Sequence, residues 1–295
     1  MIRPMSHNEV KALHYELLLK DILASAEKLP PFPDVAWKVL SLIRKTAPVN
    51  EIENVIRYDP VITARVISLS QSPLYGRRHK IGSLGDAIFI LGNQRLIQVI
   101  MASCAARYFS GGKMGLSNAE RHLWEHSVAS AVMGEMLAQG FKMKRVLTIY
   151  TASLLHDIGK TILNQYSRIF LQSYGGTMES MSFVSAERNA LGIDHQELGE
   201  KIARRWRFPE EITTAIGCHH CPEQAKSDKD VAFVVYAADR IVNGMDEERS
   251  QINPLIPEED PAFVNLGLSR SIVANLQSRL TEALEGIQQF LSSDD

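Results

Sequence analysis

Apolar residues recur at three- and four-residue intervals along most of the chain, and alternating, strand-like runs are scarce. That period predicts helix nearly throughout. It is plain at Val61, Ala64, Ile67 and Leu69, and again at Leu84, Ala87, Ile88 and Leu91. Further helices are expected over Val146 to Leu155, Gln196 to Trp206 and Val231 to Val242, with an amphipathic helix from Leu276 to Leu291 closing the fold. Helix starts are marked as well: Asn50 with Glu53, Ser83 with Asp86 and Ser117 with Glu120 have the spacing of capping boxes or their relatives. Asp59-Pro60 and Phe208-Pro209 place proline where a first helical turn tolerates it. Gly82, Gly92 and the Ser72-Pro73 step separate the early helices. The expectation is an all-α, multi-helix bundle. The run Ser110-Gly111-Gly112-Lys113-Met114-Gly115 frees the backbone and divides the chain into an N-terminal helical part, 1–112, and a second part, 113–295.

Composition narrows the class. A chain of 295 residues builds one large domain or two modest ones. Its net charge of −2 offers no footprint for nucleic acid or an anionic membrane. Arg77, Arg78, His79 and Lys80 form a basic cluster too small to change that expectation. No apolar run approaches the ~18 residues of a membrane span, and Met1 to Glu9 has no apolar signal core. Three cysteines argue against a disulfide framework. A cytoplasmic globular protein is expected.

The chemistry concentrates in the second part. Five of the nine histidines fall in one ordered series with two aspartates: His126, His156-Asp157, His195, His219-His220 and Asp239. An adjacent His-Asp pair gives one divalent cation an imidazole nitrogen and a second cation a bridging carboxylate oxygen. Asp239 lies inside an apolar helix, where an unpartnered carboxylate is costly to bury; a metal would supply its partner. A lone histidine beside an apolar helix is more often a packed or surface residue than a ligand, so the ordered set, not any member, points to metal. Mixed nitrogen and oxygen donors suit iron, manganese, nickel or zinc without choosing among them.

Other residues carry weaker signals. Cys218 and Cys221 flank the His pair, but no second cysteine pair completes a structural zinc site; both read as incidental, and Cys104 as a packed residue. His7, His14 and His79 lack partners at useful spacing. Lys160 is placed either to hold a phosphate oxygen or simply to cap a helix end. Ser127 and Arg240, next to proposed ligands, are candidates to support them.

These residues carry a family resemblance. The series His126, His156-Asp157 and Asp239 resembles the signature of the HD metal-dependent phosphohydrolases, and His195 with His219-His220 is similar to the subset with two metals, including the HD-GYP phosphodiesterases. Several stretches resemble the HDOD family, the HD-related output domain. They are Leu29-Pro30-Pro31-Phe32-Pro33, Asp59 to Val66, Ser72 to Gly76, Ile81 to Ile88 with Leu91-Gly92, Leu123 to Ser127, Glu187-Arg188 through His195, and Arg205 to Glu211. The resemblance covers roughly Leu29 to His220. It implies a helical HDOD fold and a bacterial signalling output protein acting mainly on protein partners, with a retained centre for one or two divalent ions. The alternative it implies is a phosphohydrolase acting on a nucleotide or cyclic dinucleotide. There, His126, His156, Asp157 and Asp239 would hold one ion and Asp157, His195, His219 and His220 the other, with Asp157 and Lys160 as the catalytic residues. No Gly-Tyr-Pro follows His219-His220, and His122 stands where the HD-GYP enzymes tend to place glutamate, so cyclic-di-GMP specificity is not implied.

Overall fold

The computed structural model describes residues 7–72, 81, 83–109, 117–169, 182–246 and 255–291; of residues 7–12, 14 and 286–291 it describes the backbone only. Pro73, the 77–80 basic cluster, Gly82, the 110–115 linker and the side chains of His7, His14 and His79 therefore lie outside the described residues. The described residues form helices and no strand.

The helices are α1 (His7–Glu27), α2 (Asp34–Arg44), α3 (Val49–Ile56), α4 (Pro60–Ser70), α5 (Leu84–Phe109), α6 (Asn118–Gly140), α7 (Val146–Leu155) and α8 (Lys160–Leu163). A 3-10 turn, Asn164–Tyr166, follows α8. After it come α9 (Phe183–Leu191), α10 (His195–Arg205), α11 (Glu210–Gly217), α12 (Lys229–Asn243), α13 (Pro261–Leu266) and α14 (Arg270–Leu291).

Most starts follow the sequence signals. Asp59 caps α4 by accepting from Ile62 N at 3.0 Å, with Pro60 at the first helical position. Asp86 N donates to Ser83 Oγ at 3.1 Å. At α6 Ser117 and Glu120 satisfy each other's backbone donors, at 3.3 and 2.8 Å, in a complete capping box. Asn50 caps nothing. The extended Pro48 sits at the N-cap, so α3 has already started at Val49 and Asn50 lies in its first turn. Pro209 likewise takes the N-cap of α11 rather than its first turn. Gly92 breaks α5 at φ 67°, a left-handed conformation that favours glycine. By length and composition α5 could cross a membrane, yet 67% of its most apolar window is buried inside the fold. It is a core helix.

One continuous apolar core runs from Leu18 in α1 to Leu280 in α14. In the second part α6 packs most extensively on α7 and α12, and α11 joins α7, α10 and α12. In the first part α2, α3 and α4 all pack on α5, which also meets α6 and α7. Helix α1 packs on α8, α9 and α10, far along the chain. Tyr166 ties it there, donating to Asp21 at 2.8 Å and meeting Ser25 Oγ at 3.1 Å.

An aromatic seam joins distant segments. Phe32 lies 5.0 Å from Phe208 and 5.6 Å from Trp206 between ring centroids, Trp37 lies 4.8 Å from Phe208, and Tyr108 lies 4.3 Å from Trp206. Such pairs add about 0.5–1.5 kcal/mol each beyond area burial. The prolines beside them have no N–H to satisfy, only carbonyls. Trp206 Nε1 donates to Pro30 O at 3.0 Å, Tyr108 OH to Pro31 O at 2.8 Å, and Arg205 to Leu29 O at 2.7 Å. The Pro-Pro-Phe-Pro and Arg-Trp-Arg-Phe-Pro motifs are two sides of one joint.

Candidate metal centre

Five elements bring the seven predicted ligands to one place. Helix α6 supplies His126, the end of α7 supplies His156 and then Asp157, α10 supplies His195, the turn after α11 supplies His219 and His220, and α12 supplies Asp239. Six of the seven are buried; only His220 keeps substantial exposure, 30% of its side chain.

Two groups face each other across Asp157. In the first, His126 Nε2 lies 3.2 Å from His156 Nε2 and 3.0 Å from Asp239 Oδ1. In the second, His195 Nε2 lies 3.2 Å from His219 Nε2 and 3.0 Å from His220 Nε2. Asp157 serves both. Its Oδ2 is 3.4 Å from His156 Nε2 and 3.8 Å from His126 Nε2, while its Oδ1 is 3.5 Å from His195 Nε2 and 3.7 Å from His219 Nε2.

The opposite ring nitrogens decide what these contacts are. His156 Nδ1 donates to Ser153 O at 2.7 Å, and His219 Nδ1 donates to Ile216 O at 2.8 Å. His195 Nδ1 meets Glu187 Oε2 at 2.5 Å. A neutral imidazole whose proton sits on Nδ1 presents a lone pair at Nε2. His195 Nε2 and His219 Nε2, 3.2 Å apart, are then facing lone pairs, which repel unless a cation lies between them. Two carboxylate oxygens repeat the message: Asp157 Oδ1 and Asp239 Oδ2 are buried with no hydrogen-bond partner among the described residues, a costly state for charged atoms. The donor set fits a divalent metal on both counts.

Electrostatics favour the metal-binding form at His126, His195, His220 and both aspartates, and oppose it at His156. Burial pushes His195 and His220 well below the ordinary histidine range, with Lys160 and His219 respectively adding to it, so both rings are neutral. Burial also lowers His126. For His156, burial opposes and Asp157 with Asp239 prevail, so it is raised. Burial would raise Asp157, but Lys160 and His156 outweigh it and hold the carboxylate well below its usual range. Asp239 is likewise held low by His126 and His156 against its burial.

Lys160 caps no helix end; its Nζ donates to Asp157 Oδ2 at 2.7 Å, with 21% of the side chain exposed. Ser127 Oγ is buried with no hydrogen-bond partner among the described residues, and Arg240 Nε reaches toward Asp260 at 4.0 Å. The supports are Glu187, Gln196 and Asn243. Glu187 accepts from His195 N at 3.0 Å as well as facing Nδ1, and burial lifts its carboxyl to about 7. Gln196 Oε1 accepts from His220 N at 2.9 Å, and Asn243 Nδ2 donates to Asp239 Oδ1 at 2.8 Å. Asn243, one turn beyond Asp239, was findable by helical spacing; Glu187, eight residues before His195 on another helix, was not.

Gly159 owes its place to crowding. Its φ and ψ are right-handed helical, and it closes the 156–159 turn that joins α7 to α8. A Cβ there would run into His195 O, so glycine lets the end of α7 approach α10 and bring the two ligand groups together. Cys218 and Cys221 are free, half-buried and outside both ligand groups. His122, with Glu125 and Met245, lines a cleft of about 240 Å³ that reaches His126.

The same architecture recurs in solved proteins. An HDOD domain protein of unknown function from Geobacter sulfurreducens aligns over 96% of this chain and 99% of its own, with 23% identity and a TM-score of 0.73. The "Putative phosphohydrolase" from Shewanella amazonensis SB2B aligns over 92% and 97%, with 20% identity and a TM-score of 0.67. These likenesses show the fold. An uncharacterized protein of Treponema pallidum (strain Nichols) is 20% identical over 238 residues, 76% of this chain and 44% of that protein, so this chain spans under half its relative's length. The HDOD domain model matches residues 29–222, which take in both sides of the aromatic joint and every ligand but Asp239. This all-helical chain, with its His/Asp centre suited to a divalent metal, belongs to the HDOD family.

Proposed function

We propose that this chain is a metal-dependent phosphoester hydrolase working in a signalling context. His126, His156, Asp157 and Asp239 hold one divalent ion, and Asp157, His195, His219 and His220 hold a second. The observation that carries this reading is Asp157, which turns one oxygen toward each histidine group. Divalent ions bound there would supply Lewis acidity, lowering the pKa of a water and drawing charge from a phosphoryl oxygen.

The chain's own residues do the rest. Ser153 O, Ile216 O and Glu187 fix the tautomers and ring planes of three histidines. Lys160 uses one of its ammonium protons on Asp157, which leaves two for an anionic oxygen of a nucleotide or cyclic dinucleotide. The partly exposed His220 and the cleft at His126 are the approaches to the centre. Protein loaded with manganese or iron should hydrolyse bis(p-nitrophenyl) phosphate, and Asp157→Ala should abolish it.

The family resemblance puts another reading first: a signalling module acting through protein contacts, with the metal in a structural role. Its support is the near-complete burial of six ligands, which narrows the way in for a bulky substrate. A loaded wild type that holds its ions and resists heat better, yet turns over nothing, would favour this second reading.

A further inference from the structure

Apart from the metal centre, a cleft of about 200 Å³ opens where α4 and α5 meet α6, α7 and α14. Its wall is mostly apolar, with Leu69, Val99, Ala102, Val128, Val132 and Met136. Arg95, Gln98, Glu135, Tyr150 and Arg279 also line it, and their bonding decides what it can take.

Glu135 is already matched by the protein. Only 2% exposed, it accepts from Arg95 at 2.7 Å, Gln94 at 2.8 Å and Gln139 at 2.9 Å. Gln98, 4% exposed, accepts from Arg95 through Oε1 at 2.8 Å, and its Nε2 is buried with no acceptor. Turning that amide over would set its NH2 against the Arg95 guanidinium, two donors face to face, so the orientation is fixed. Arg279 is exposed and forms no ion pair among the described residues. The group buried here without a partner is therefore a donor, and an exposed positive charge stands beside the same apolar wall.

We propose that this cleft binds a small amphiphilic carboxylate, its apolar body against Val99, Val128 and Val132 and its carboxylate drawn to Arg279. A guanidinium matches a carboxylate fork-to-fork. Since an apolar cavity of about 150 Å³ takes up benzene, this volume suits a ligand of roughly ten heavy atoms. The walls α6 and α7 also carry His126 and His156, so occupancy bears on two elements of the metal centre. The proposal stands whether or not the centre is catalytic.

Isothermal titration of the full chain with octanoate and 4-phenylbutyrate tests it. One saturable site is expected, with Kd in the range of about 0.1–1 mM. Binding should weaken at least tenfold in Arg279→Gln and in the plug variant Ala283→Trp, both of which line the cleft from α14, with folding checked by circular dichroism. Octanamide, equal in size but uncharged, should bind at least tenfold more weakly than octanoate. Absence of saturable binding by both acids would overturn the proposal. So would wild-type affinity in either variant, or equal binding of octanamide and octanoate.

Discussion

The aromatic joint and the metal centre are both buried places where segments far apart in sequence meet, and they are finished differently. At the joint the named polar groups are matched: the Trp206 indole, the Tyr108 hydroxyl and the Arg205 guanidinium each find a carbonyl of the Leu29–Pro31 turn. At the centre, the lone pairs of His195 and His219 face one another at 3.2 Å, and two carboxylate oxygens have no hydrogen-bond partner among the described residues. The joint is complete as protein alone, whereas the centre is complete only with cations. Burial alone does not mark a functional site; burial that leaves acceptors unmatched does.

The comparison breaks most sharply at Asp157. In Asp157→Ala both ligand groups lose their shared oxygen, so phosphodiester turnover by loaded protein should fall about a thousandfold or more, ~4 kcal/mol of barrier. The variant's metal content per folded molecule should fall as well. A joint variant should spare the centre. Trp206→Ala should cost about 3–5 kcal/mol in urea unfolding and leave metal content per folded molecule unchanged. Equal effects of the two variants on both measurements would erase the distinction.

Glu187→Gln sharpens it. Replacing the carboxylate that holds His195 should weaken metal affinity about 10–100-fold, read by competition with a chelating dye, and affect the second ligand group more than the first. The smallest effect is on acid sensitivity of the metal-free chain. His195, His220 and His126 are depressed in the fold, so below about pH 6.5 the unfolded chain binds more protons than the folded one. Stability should therefore fall as pH drops from about 7.5 to about 5.5, with the raised His156 and Glu187 working in the opposite direction. Bound metal should flatten the slope at its neutral end. A melting temperature of the metal-free chain that rises on acidification would contradict the assignment of neutral rings.

Sequence made much of the fold legible, because helical period and capping are local. Val146–Leu155 has the expected bounds, and the Ser117 box forms in full. The convergence of the seven candidate ligands was legible because their residue types are scarce in an apolar helical setting and occur in family order. What escaped depends on three-dimensional approach. Glu187 reaches His195 across a helix boundary, Lys160 folds back on Asp157, and Gly159 answers to a carbonyl on another helix. The packing of α1 on α8, α9 and α10 follows from long-range contacts that periodicity does not encode. Asn50 shows the limit of local rules: its spacing to Glu53 is right, but the preceding Pro48 starts the helix first.

The central claim is that this centre is built for two cations bridged by one carboxylate. Elemental analysis of the purified full chain, after loading with manganese or iron and exhaustive desalting, tests it most directly. The account predicts two divalent ions per chain; one ion or none would contradict it.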